Sequence, residues 1–203
     1  MDGEEIADRI RDGKETELSR LGSSKTMYAL TGGDMDAAGV RAAAADEIHL
    51  AARTFDAWAA DESDDRAAET FAAAAERARD AHDLVAPEDH DHADSRPVYA
   101  HLDGLEGTAD RAAGLLGRTL VAGQRFEQMV GFFVGDADPT TADTFRTVRD
   151  GIATEHEEAV DLVEAVCDDP DHVVEVAGGV IDAAYEDYVE TLESMGIKPK
   201  NVC

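Results

Sequence analysis

Three residues of this chain have the types and spacing to hold a metal ion: Glu47, His82 and His156. His82 closes the stretch FAAAAERARDAH that begins at Phe71, and His156 closes FRTVRDGIATEH that begins at Phe145. In both stretches Phe and His stand eleven residues apart, close to three helical turns, so the two side chains fall on one face. Imidazole is a good ligand for iron and zinc, and a symmetric pair of histidines gives such an ion two nitrogen donors. One histidine alone on an apolar face is more simply a hydrogen-bonded core residue. Glu47 shares a helical stripe with Ala51, Thr54 and Trp58. A carboxylate that points into a core must be ion-paired, protonated or metal-bound. The ion pairs open to it in sequence are with Arg79 or Arg53.

The elements that must position these residues repeat. At the 74-residue offset that relates His82 to His156, Trp58 answers to Phe132, Glu62 to Asp136, Asp64 to Asp138, Glu69 to Asp143 and Glu76 to Asp150. A unit of this length is two helices and a turn, and two such hairpins make a four-helix bundle. Asp34 or Asp36 starts a helix that runs to about Ala60, and a second helix spans about 65–85 and ends before Pro87. A polar loop with the run His90-Asp91-His92 leads to a short helix within 97–106. Helices at about 107–134 and 139–167 form the second hairpin. Gly114, Gly117, Gly123 and Gly131 in the first of these are unfavourable unless neighbours pack closely. Outer helices are predicted over 3–21 and 171–195, with residues 22–34 as a connection. The domain reading is 1–34, 35–168 and 169–203, with the bundle hairpins at 35–86 and 107–168.

The net charge is -28, with 46 acidic residues against 18 basic ones, and the acids are spread along the chain. Phosphate binding needs a basic surface, so nucleic acid and anionic membrane surfaces are excluded as partners. Hydrophobic content of 43% with helical periodicity argues against disorder. The charge fits a folded protein of a halophile, where molar salt screens self-repulsion. With no signal peptide, no long apolar run and two separate cysteines, Cys167 and Cys203, the expected location is cytoplasmic with free thiols.

A long helix with an inward Glu, a short turn, then a helix that opens on Phe and carries His eleven residues later, twice over, resembles the ferritin-like superfamily on its rubrerythrin side. The likeness covers about 36–168. It implies an all-α, ferritin-like four-helix bundle with an extra helix at each end, a homodimer, and a di-iron centre. That centre would take an inward Glu from two helices and Glu-x-x-His from the other two. Here Glu47 matches the first Glu, and His82 and His156 match the two histidines. Arg79, Val121 and Ala153 stand where three further carboxylates belong. Glu127 is the acid nearest to Val121 but off its face, and Glu155 is next to His156 but turned elsewhere. Three ligands suit one iron or zinc ion better than a redox pair.

The alternative is a non-catalytic helical module that works through protein contacts. Weaker candidates are a surface chelate of His90, Asp91 and His92 with His101, and a thiol sensor at Cys203. Gly-Ser-Ser-Lys at 22–25 lacks the full phosphate-loop pattern and a preceding strand. The charge reading makes a direct prediction. The thermal midpoint, followed by circular dichroism, rises as KCl goes from about 0.1 M to about 2 M. A flat or falling midpoint removes the salt-adaptation reading.

Overall fold

The computed structural model describes residues 1–199, so Cys203 lies outside the described residues. Among the described residues there are nine helices and no strand: α1 Gly3–Gly13, α2 Glu15–Leu21, α3 Lys25–Thr31, α4 Ala37–Asp61, α5 Asp65–Val85, α6 Pro97–Asp103, α7 Thr108–Gly135, α8 Pro139–Val166 and α9 Pro170–Ser194. The boundaries follow local chemistry. Side chains of Asp36, Asp64, Asp138 and Asp169 accept backbone N–H groups at the starts of α4, α5, α8 and α9. Proline occupies the first turn of α6, α8 and α9.

The N-terminal region differs from the sequence expectation. The single helix predicted over 3–21 is broken at Lys14, which follows Gly13 and has φ -121° and ψ 24°. Lys14 uses the break to reach α9, where Nζ donates to Asp182 Oδ1 at 2.6 Å. The expected connection after Gly22 contains α3, which ends at Gly32 in the left-handed region, φ 63°.

The two halves of the repeat are both helical hairpins, α4–α5 and α7–α8. Their equivalent aspartates, Asp64 and Asp138, cap equivalent helices. Their equivalent phenylalanines, Phe71 and Phe145, are both fully buried. The aromatic pairing slips by one position between halves. Trp58 meets Phe71 with ring centroids 5.2 Å apart, whereas Phe133, rather than Phe132, meets Phe145 at 4.8 Å. The hairpins pack through α5 against α8 and α4 against α7. Helix α9 lies along α7, and α1, α2, α3 and α6 pack on it. One apolar core runs from Ile6 to Leu192 through all these elements. Gly117 permits the α7–α9 contact, because a Cβ there would stand 2.6 Å from the carbonyl oxygen of Ala177. Gly114 is likewise crowded by Leu105, but Gly123 and Gly131 face open space, so close packing explains only two of the four predicted glycines.

Helix α7 carries a buried stripe with heptad spacing: Leu115, Arg118, Ala122, Arg125 and Met129. Two guanidiniums therefore enter the core. Arg125 Nη1 donates to Glu47 Oε2 of α4 at 2.7 Å, with both side chains almost wholly buried. Arg118 Nη1 donates to Glu155 Oε1 of α8 at 2.7 Å, and its guanidinium lies over the Phe55 ring at 5.6 Å. Burial alone would push the Glu47 carboxyl up, but Arg125 and Arg96 outweigh it and hold the group below its usual range. Glu155 has weaker compensation from Arg118 and Arg77, and burial leaves its carboxyl raised.

Removing one partner of such a pair strands a buried charge, which costs about 3–5 kcal/mol, while an apolar replacement of both is close to neutral. Arg118→Leu alone is expected to lower the urea unfolding free energy by about that amount, and Arg118→Leu/Glu155→Leu to recover most of it. Additive losses in the double variant would remove this account of the core.

Candidate metal centre

The three residues singled out by sequence do not converge. Glu47 is taken up by Arg125, with Arg96 Nε 3.8 Å from its other oxygen. His156 is saturated at the edge of the α7–α8 hairpin. Arg11 Nη2 can only donate, so the 2.6 Å contact makes His156 Nε2 an acceptor. The ring proton then sits on Nδ1 and goes to Thr119 Oγ1 at 2.8 Å, and Thr119 donates onward to the carbonyl of Leu116. His82 lies at the margin of α5, where its Nε2 is 3.2 Å from His92 Nε2. The inward group of α8 is Glu155, not His156. Arg79 points outward to Asp56 rather than toward the interior. An interior di-iron centre does not fit these residues, because the guanidiniums of Arg118 and Arg125 already neutralise the buried carboxylates.

Donor groups converge elsewhere, where α4, the end of α5 and the loop 86–96 meet. Asp46 and His49 stand three residues apart on α4, hence on one side of the helix. Asp46 Oδ1 accepts the backbone N–H of Ala93 at 3.0 Å and His90 Nε2 at 2.8 Å, which docks the loop. Arg53 Nη1 adds a bond to the carbonyl of Asp94 at 2.8 Å. Asp89, in the left-handed region at φ 58°, turns the chain so that His90 and His92 both face α4. The His92 ring stacks on His49 at 4.3 Å and stands edge-on to His82 and His90.

Asp46, His90 and His92 each place one donor atom within 4.8 Å of the others. His92 Nδ1 is 3.7 Å from Asp46 Oδ1, buried, and without a hydrogen-bond partner. Burial opposes ionisation of Asp46, but Ala93, His90 and Arg96 overcome it and hold the carboxyl below its usual range. Burial first, then neighbouring imidazoles, lower the pKa of His92 and of His49. Both shifts favour the neutral imidazole, the form that can ligate a metal. One carboxylate and two imidazoles suit a divalent d-block ion.

The sequence reading grouped His90 and His92 with Asp91 and His101, whereas the structure brings Asp46 to them. Asp91 is exposed. His101 packs over Gly179 of α9 instead. Asp46 and His49 were missed, because only the fold brings their face of α4 against the His-Asp-His loop. Cys167 is half-buried, and burial with Asp110 and Asp168 pushes its thiol up to about 11, so it stays protonated. Among the described residues, no helix is long and apolar enough to cross a membrane.

Burial, with Arg11 beside it, depresses the His156 imidazole to about 4. The unfolded chain, with an ordinary histidine near 6.5, then binds more protons than the folded one. The contribution is fully present above about 6.5 and lost as pH falls toward about 4. Over that interval the wild type is expected to lose more thermal stability than His156→Gln, read as the pH slope of the melting midpoint. Equal slopes would contradict the assignment. No family model, curated protein or solved structure matches this chain.

Proposed function

We propose that this chain is a metal-binding helical protein that takes a divalent d-block ion between Asp46, His90 and His92. The observation that carries this reading is His92 Nδ1: a buried ring nitrogen with no partner, aimed at a carboxylate oxygen 3.7 Å away. A buried polar atom left unmatched is unfavourable, and an ion between the two groups satisfies both. His90 Nε2 now donates its proton to Asp46. Metal binding at that nitrogen requires its lone pair, so the ring hydrogen moves to Nδ1 by tautomer exchange, and acid weakens binding because protons compete with the metal for imidazole nitrogen.

The architecture is best described as ferritin-like. Two helical hairpins are joined by the long 86–107 connection, and carboxylates on the first and fourth hairpin helices, Glu47 and Glu155, point inward. In this reading Arg118 and Arg125 stand in for cations in the middle of the bundle, and ligand binding is moved to its edge. The iron or zinc expected from the resemblance is thus proposed at Asp46, His90 and His92, not at Glu47, His82 and His156. The same interior ion pairs favour a second reading, a helical module without catalysis, for which the edge site is a structural clamp on the loop.

The test is Zn(II) titration of metal-free protein without an appended His tag, by calorimetry and elemental analysis. At least one equivalent is expected, with affinity lowered more than about tenfold by Asp46→Asn or His90→Ala. Bound zinc also raises stability, by about 2.7 kcal/mol at a free concentration one hundred times Kd. No uptake, or uptake indifferent to both substitutions, overturns the reading.

A further inference from the structure

The two ring nitrogens of His92 face different partners. Nδ1 faces Asp46 and His90, while Nε2 faces His82 Nε2 at 3.2 Å. One ion can use only one nitrogen of an imidazole, so the proposed ion on the Nδ1 side leaves the Nε2 side free. Two nitrogens bound at about 2.05 Å to a tetrahedral ion lie about 3.3 Å apart, so the His82–His92 spacing already fits a shared ion. At 3.2 Å one of the two facing Nε2 atoms carries the hydrogen and the other the lone pair, and the Asp83 carboxylate lies 3.8 Å from His82 Nδ1 on the other side of that ring. Beside these rings is an open cleft of about 210 Å³ lined by His49, Ala52, Arg79, His82 and Asp83. It has space for an ion with its remaining water ligands. Arg79 is held by both oxygens of Asp56, which offsets its charge there. The His49 imidazole stacks on His92 and borders the cleft, which places its ring beside the same space.

We propose that the cluster holds two d-block ions, the second between His82 and His92 at the mouth of this cleft, with the His92 ring as the bridge between them. The inference rests on the first site and adds to it. His92, neutral when free, carries one ring proton. Occupation of Nδ1 and Nε2 together expels that proton to solvent and leaves an imidazolate that bonds both ions. The strong overall negative charge of the chain favours a second cation. Copper(II) is the most demanding probe, because it has the highest affinity of the divalent series for such donors.

The experiment is a Cu(II) titration of metal-free, tag-free protein in KCl, with elemental analysis and electron paramagnetic resonance at each point. Two equivalents are expected to bind. The first gives the signal of an isolated Cu(II), and the second diminishes it, because the imidazolate couples the two unpaired spins. His82→Ala is expected to stop at one equivalent and keep its full signal. Binding of a single equivalent by the wild type overturns the second site and leaves the first standing. Two uncoupled equivalents, or a second equivalent retained in His82→Ala, overturn the bridge. No binding at all overturns the parent reading along with it.

Discussion

A charge taken out of water must meet an opposite charge, and in this protein that constraint falls on two adjacent carboxylates of α4. Glu47 turns inward and is met by Arg125. Asp46 turns to the edge and is met by the loop, through His90 and the backbone of Ala93. Arg96 stands between the two, 3.8 Å from Glu47 and 3.5 Å from Asp46. It is the residue before Pro97, which opens α6, so the 86–96 loop is fixed at its far end by the same charges that fill the core. The ion pairs decide where its histidines sit.

The interior carboxylates are therefore already matched by charge. Each of the buried carboxylates Glu47 and Glu155 has a guanidinium at 2.7 Å, and Arg118 is in addition packed over an aromatic ring. Guanidinium is planar, always charged and rich in donors, so it serves as a fixed cation without a binding equilibrium. Pairs of this kind add little net stability over apolar side chains, but they penalise any packing that separates them. The edge cluster is different. Its imidazoles lie against one another with a single shared carboxylate, and His92 Nδ1 has no hydrogen-bond partner.

Much of the fold was legible in the sequence, because its signals are local. The 74-residue echo placed both hairpins, and the predicted helix starts at Asp34 or Asp36 and near 65, 139 and 171 lie within a few residues of the observed ones. The break at Lys14 was less visible, since it depends on a tertiary partner, Asp182. The site was legible only in part. Periodicity put Glu47 in the core correctly but carried no information about Arg118 and Arg125, whose heptad spacing among apolar residues is conspicuous only once α7 is seen as central. The cluster draws on α4, α5 and the loop, with His90 forty-four residues from Asp46. No spacing rule spans that distance.

His82 and His156 occupy equivalent positions in the repeat, and their fates explain why symmetry was a poor guide to chemistry. The second hairpin is covered by α1, so Arg11 reaches His156, Thr119 takes its other nitrogen, and burial keeps the ring neutral. The first hairpin is covered at the same level by the 86–96 loop, which brings histidines instead of an arginine. His82 therefore meets a ring that is itself short of partners. A duplicated helix pair supplies the same side chain twice. What packs over each copy decides whether that side chain is saturated as structure or left able to bind.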